Sequence, residues 1–204
     1  MKHSFYAVLL LFFVSCNSQE TSNSKADCQS KTDLFIDSFV AKHPDINKND
    51  LAYEAANKDW ISESESFVLN HGLDDLPLEA VAMKRIDSNK IIVHFNSVKR
   101  FKTDGQYHHL DQVDMDLLVS FTQEVANTIS QEKGNLYYLH YDKAQLIKDS
   151  KDITFFTDRM VNTPAPIILS GGYCFGNYII NGLSVDKVKK HYTGCYYAKD
   201  TATH

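Results

Sequence analysis

The feature that most constrains this chain is a change of hydrophobic period near residue 70. Before it, apolar residues recur at helical spacing. From Leu78 onward they alternate or cluster as they do in strands. Phe35 and Phe39 are four apart, as are Ile36 and Val40, which predicts a helix over Thr32–His43. Thr32 or Asp33 can cap it, and Pro44 stops it. Asn49 or Asp50 opens a second helix to about Leu69, with an apolar stripe of Leu51 and Ala55 beside Ala52, Ala56 and Trp60, extended by Phe67. Ser62, Glu63, Ser64 and Glu65 form its outer face, and Gly72 is placed to take the left-handed position that ends it. Trp60, the single tryptophan, is the core anchor of this helix or a ring on which a ligand stacks.

The strand signals follow in order. Leu78 to Ile86 and Ile91 to Phe95 flank the turn residues Asp87-Ser88-Asn89-Lys90 and predict a hairpin. Phe101 to His109 reads as a polar loop. Val113, Met115, Leu117, Val119 and Phe121 alternate with Asp114, Asp116, Leu118 and Ser120, a strand with at least one buried face. Thr122 to Lys133 turns helical again through Val125, Ala126 and Ile129, and Gly134 stops it. Leu136 to Tyr141, Ile153 to Phe156, Ile167 to Leu169 and Tyr178 to Ile180 are strand-like, and Val and Tyr enrichment favours a further strand from Leu183. The fold class is therefore α+β: N-terminal helices packed on a small antiparallel β-barrel, OB-like in its order of three strands, a short helix, a strand and a late strand.

The first sixteen residues are of a different kind. Lys2 precedes an apolar run from Phe5 to Val14, the layout of a secretory signal, and the run is too short to span a bilayer as a helix. Phe13-Val14-Ser15-Cys16 resembles a bacterial lipoprotein signal. That resemblance implies that Cys16 is acylated, becomes the mature N-terminus and ties the protein to a membrane. The organisation expected is a signal peptide over 1–15, a lipid-anchored linker rich in Ser, Asn and Gln over 16–31, and one globular domain over 32–200, with helices at about 32–70 and mainly strands at about 78–197. The stretch from Val113 to Leu146 further resembles exported lipoproteins with OB-like barrels. The likeness rests on the alternating strand ending at Phe121, the helix around Ala126, Gly134-Asn135 and the Tyr-rich strand after them. It implies a fold and no activity.

Charge and motifs narrow the function. The net charge is −5 with Lys and Arg scattered, so a nucleic-acid partner is disfavoured. No phosphate-cradling glycine loop, His-Glu-x-x-His or Gly-x-Ser-x-Gly occurs, and no cofactor is implied. Of the four cysteines, Cys16 is assigned to the lipid and Cys28 to the linker. Cys174 and Cys195 are the best bridge candidates, a link worth about 3 kcal/mol if unstrained, or else they remain reduced. Cys174 also lies among glycines in Ser170–Gly176, where a thiol nucleophile served by His191 or His140 is conceivable. His94, His108, His109, Asp111, Asp114 and Asp116 bring metal-ligating residue types close in sequence. Asp114 and Asp116 equally suit the wet face of a half-buried strand.

Tyrosines crowd the C-terminal half. Tyr196, Tyr197 and one of Tyr137 or Tyr138 are expected partly exposed, forming with Trp60 a binding patch. The expected function is a lipid-anchored protein of the bacterial cell envelope, at the outer membrane and facing the periplasm or the outside, acting as a non-enzymatic binding or inhibitory module for a protein or glycan. The alternatives are a thiol-dependent hydrolase built on Cys174 and His191, and a structural envelope assembly factor.

Overall fold

The computed structural model describes residues 30–97, 112–148, 165–169 and 172–188. The signal, the linker up to residue 29 with Cys28, the loop at 101–109 with His108 and His109, Asp111, the strand expected at 153–156, and His191, Cys195, Tyr196 and Tyr197 all lie outside them; residues 30 and 31, expected in the linker, open the first helix.

Two helices come first. Helix α1 (Lys31–Lys42) is capped by Ser30, one turn earlier than Thr32 or Asp33. The Ser30 hydroxyl accepts from the Asp33 N–H at 3.0 Å, and the Asp33 carboxylate accepts from the Ser30 N–H at 3.2 Å. This reciprocal pair satisfies two N–H groups that a helix start would otherwise strand. Helix α2 (Asp50–Leu69) is capped by Asn49, whose side chain accepts from the Ala52 N–H at 2.9 Å. Its buried stripe is Ala56, Trp60, Ser64 and Val68. Three expectations change here. Leu51 and Ala55, assigned to the apolar stripe, are exposed, Leu51 by 78%, and Ser64, assigned to the outer face, is fully buried. Ser64 is tolerated inside because its hydroxyl donates to the Trp60 carbonyl at 2.6 Å.

The end of α2 is a full C-terminal motif: the Gly72 N–H donates to the Phe67 carbonyl and the His71 N–H to the Val68 carbonyl. The left-handed residue is His71, with φ of 60°, and not Gly72. Gly72 is needed for a different reason. A Cβ there would lie 2.4 Å from the Phe67 ring, which packs on the bare backbone.

Six strands follow: β1 (Leu78–Arg85), β2 (Ile91–Ser97), β3 (Val113–Phe121), β4 (Leu136–Leu146), β5 (Ile167–Leu169) and β6 (Gly172–Lys187). Between β3 and β4 lies α3 (Gln123–Ala126), capped by Thr122 and much shorter than the helix expected to reach Lys133. It ends where Thr128 and Ile129 begin a β-branched pair and the Thr128 hydroxyl donates back to the Val125 carbonyl. Ala126 and Ile129 still turn inward.

The sheet order is β3-β2-β1-β4-β6-β5, with β3 also paired to β6, so that five strands run as a ring and β5 lies on the edge of β6. The β3–β6 pairing is parallel and all the others are antiparallel. The ring closes only in part, because β1 meets β4 at just Leu78↔Tyr137 and Glu79↔Leu136. The molecule is thus α+β and mostly sheet, as expected.

Strand β6 makes the ring possible. It pairs with β3 along one stretch and with β4 along the next, and it bends at two bulges. Gly176 takes φ of 87° at the first, opposite Asp114 and Met115. At the second, Leu183 is the extra residue between Gly182 and Ser184. Gly182 passes so close to Phe121 that a Cβ would fall 2.2 Å from its ring. Val93, Phe95, Met115, Leu117, Tyr137, Leu139, Tyr178 and Ile180 fill the core. Each large apolar side chain buried this way contributes about 1.5–3 kcal/mol.

Helix α2 is fastened across the sheet by polar side chains. The Trp60 indole N–H donates to the Cys174 carbonyl at 2.8 Å, and the Tyr141 hydroxyl to the Val68 carbonyl at 2.6 Å. On β5, the Ile168 N–H donates to the Asn57 side chain at 2.9 Å, while the Tyr53 hydroxyl donates to the Ile168 carbonyl. The outer edge of β5 is therefore covered by a helix and not left open to another strand.

Candidate functional site

Three places collect the residues singled out above. The first is the outer face of β2, β3 and β6. Because side chains alternate along a strand, Ile92 and His94 point away from the barrel interior, as do Asp116, Leu118, Asn177 and Ile179. They are nonetheless buried: His94 is 1% exposed, Asp116 2%, Asn177 3% and Cys174 1%. Ile92, Leu118 and Ile147 form a small separate apolar cluster with Ile179 beside them. Within this setting His94 Nε2 lies 2.6 Å from Asp116 Oδ1.

Cys174 is a free, buried thiol. Its anticipated bridge partner, Cys195, is outside the described residues, as is His191. Burial pushes the thiol up from its ordinary value; a hydrogen bond from the backbone at Gly176 opposes it, and the carboxylates of Asp114 and Asp116 each add a smaller upward push. A thiol nucleophile needs the opposite setting, with an imidazole next to the sulfur and the carboxylate beyond it. Here Cys174 of β6 is in register with Asp114 of β3, whereas Asp116, the partner of His94, is in register with Asn177. The other base considered, His140, is in register with Ser184, ten residues along β6 from Cys174, a separation of roughly 30 Å at strand rise. Among the described residues no group of three or more His, Cys, Asp or Glu is arranged to hold a metal ion.

The second place is the outer face of β4 and β6. Tyr138 is partly exposed and in register with Asp186. His140, next along that face, places Nε2 2.8 Å from Asp186 Oδ2, with both side chains in contact with solvent. The bulge residue Leu183 is 59% exposed close by. Of the expected pair, Tyr138 is therefore the exposed member.

Tyr137 faces inward with Leu139 and Tyr141, is 1% exposed, and its hydroxyl accepts from the Ser130 N–H at 2.7 Å. It cannot present itself to a ligand. Trp60 is fully buried, ringed by Phe39 at 5.0 Å and Phe175 at 4.9 Å, with its N–H already committed to Cys174. Its role is that of core anchor. Tyr141 and Tyr178 are core residues as well, and burial holds both phenols far above their ordinary range.

The third place went unseen in the sequence. An open groove of about 820 Å³ runs between α1 and α2, with Phe35 and Phe67 among the residues that line it. These two rings stack with centroids 4.4 Å apart. The helical spacing of each ring was visible. That the two helices pair so that the rings meet was not. The His94–Asp116 pair was likewise hidden, since only the register of β2 on β3 makes it a pair.

Comparison of the chain with protein-family models, with curated proteins and with solved structures found no match in any of the three.

Proposed function

We propose that this chain is a lipid-anchored protein of the bacterial cell envelope whose OB-like barrel serves as a non-enzymatic binding or inhibitory module for a protein or glycan. The lipoprotein-like ending Phe13-Val14-Ser15-Cys16 supports the anchor. The OB-like reading is supported by the ring of β1, β2, β3, β6 and β4, by α3 lying between β3 and β4, and by the late strand that runs parallel to β3.

The observation that carries the non-enzymatic reading is the setting of Cys174: buried, pushed toward the neutral thiol, and in register with Asp114 and not with a histidine. In contrast, Tyr138, His140, Leu183 and Asp186 offer aromatic, apolar and polar groups together on an accessible sheet face, the mixture that suits recognition.

The test is photo-crosslinking in intact envelopes, with a photoreactive residue at position 138 or 183 and a control at the exposed α2 position 58. The proposal expects a discrete adduct from 138 and 183, absent from 58, and release of the protein from the membrane fraction by Cys16→Ser. Equal labelling at all three positions would remove this face as the binding surface. A Cys16→Ser protein that stays with the membrane would remove the lipid anchor.

A further inference from the structure

We infer that the groove between α1 and α2 receives an acyl chain of the lipid on Cys16 whenever the protein is out of a bilayer. This inference rests on the lipid-anchor reading above. The floor of the groove is apolar and stiff. The stacked Phe35 and Phe67 rings are braced by Trp60, 5.5 Å from Phe35, and by Phe175, 5.9 Å from each of the two. Leu34, 49% exposed, adds an apolar wall. The rim is made of small residues, Ser38, Ser62 and Ser66, which leave the floor open from above.

The charged and amide groups of the rim are already engaged. Lys31 pairs with Asp74 at 3.6 Å and Glu63 with Lys42 at 2.8 Å. The Asn70 amide donates to the Ser66 carbonyl at 2.8 Å. An extended peptide lying here would bring backbone N–H and C=O groups that need partners, and the groove has few to give. A charged ligand would meet no unpaired opposite charge. A hydrocarbon chain asks for neither.

Position names the source of that chain. The groove starts at Lys31, the first residue of α1, which is where the polypeptide arrives from Cys16. The residues from 17 to 30 separate the two, and extended they reach at most about 50 Å. The part of α1 that lines the groove is only about 11 Å long. The anchor can therefore fold back onto the helix pair without any change in the domain. A bilayer surrounds an acyl chain on all sides and this groove does not, so insertion draws the chain out and leaves the groove vacant.

The test uses full-length chains carrying Ser62→Cys as a reporter at the rim, with alkylation read site by site by peptide mass spectrometry. In the lipidated protein free of vesicles, labelling at position 62 is expected at least fivefold slower than after addition of phosphatidylglycerol vesicles. In the Cys16→Ser background it is expected to be fast with or without vesicles. A fluorescent sixteen-carbon fatty acid is expected to bind the Cys16→Ser protein saturably at one site, at least tenfold more weakly after Leu34→Asp or Ser66→Trp. Both positions are exposed, so the two variants check each other against misfolding.

Equal labelling of the lipidated protein with and without vesicles overturns the inference, even if the fatty acid binds, because the groove would then serve a free lipid. Absence of fatty-acid binding overturns it as well. Mass spectrometry of the mature N-terminus separates the two levels. An unacylated Cys16 sinks the anchor and this inference with it, whereas an acylated Cys16 with unprotected position 62 sinks only the inference.

Discussion

Among the described residues, two histidine–aspartate pairs bridge neighbouring strands, and their surroundings differ. His94 and Asp116 join β2 to β3 at 2.6 Å with almost no exposure. His140 and Asp186 join β4 to β6 at 2.8 Å, with side chains 41% and 73% exposed. The first pair is held by the fold. Removing one partner breaks a close contact in a buried setting, which is costly. The second pair competes with solvent, so its contribution to stability is small and its atoms remain available to another molecule. The same chemistry thus acts as a structural tie on one face and stays open to solvent on the other.

The sharpest way to break this contrast is at the buried pair. Asp116→Ala is expected to destabilise the protein by about 3–5 kcal/mol, read as a fall in the urea midpoint, because a buried imidazole loses its 2.6 Å contact with the carboxylate. Replacing both His94 and Asp116 by Leu should cost less than Asp116→Ala alone. A single substitution with no effect would mean the pair is not the tie described.

Next in size is Gly182→Ala on β6, the strand that carries residues of both faces. Its Cβ would meet Phe121, at an expected cost of about 1–3 kcal/mol in the same titration.

Alkaline pH should separate the two faces further. Burial raises the Cys174 thiol and the Tyr141 and Tyr178 phenols above their ordinary values. Each group therefore holds its proton more tightly folded than unfolded. Their stabilising contribution is complete below the unfolded values and is lost as pH climbs past about 8.5 for the thiol and about 10 for the phenols. Thermal midpoints are expected to fall across that window, with a shallower fall in Cys174→Ala at its lower end.

The smallest stability effect is expected at the exposed pair. His140→Ala should cost only about 0–1 kcal/mol. The same substitution should nevertheless reduce crosslinking through position 138, which distinguishes a recognition role from a structural one.

What could be read from the sequence followed the range of the interactions involved. The alternation from Val113 to Phe121 marks a strand because that signal is local, and β3 has those bounds. The Asn49 cap and the β1–β2 hairpin were legible for the same reason. The end of α3 was not, since Val125, Ala126 and Ile129 keep helical spacing beyond Ala126, where the helix stops. Nor was the unbroken length of β6, which two bulges carry past glycines that look like turn residues. In the sites, the inward turn of Tyr137 follows from the phase of β4, which a run of Leu-Tyr-Tyr-Leu leaves open. The burial of His94 and Asp116 depends on register between strands and could not be read from either strand alone.

We propose that the domain works by binding and not through a thiol. This proposal is tested most directly by the alkylation rate of Cys174 in the native, full-length protein at neutral pH, resolved from the other cysteines by peptide mass spectrometry. The setting of Cys174 predicts labelling at least a hundredfold slower in the folded protein than in urea. Rapid labelling of Cys174 in the folded state would contradict the account and return the thiol to the position of a candidate nucleophile.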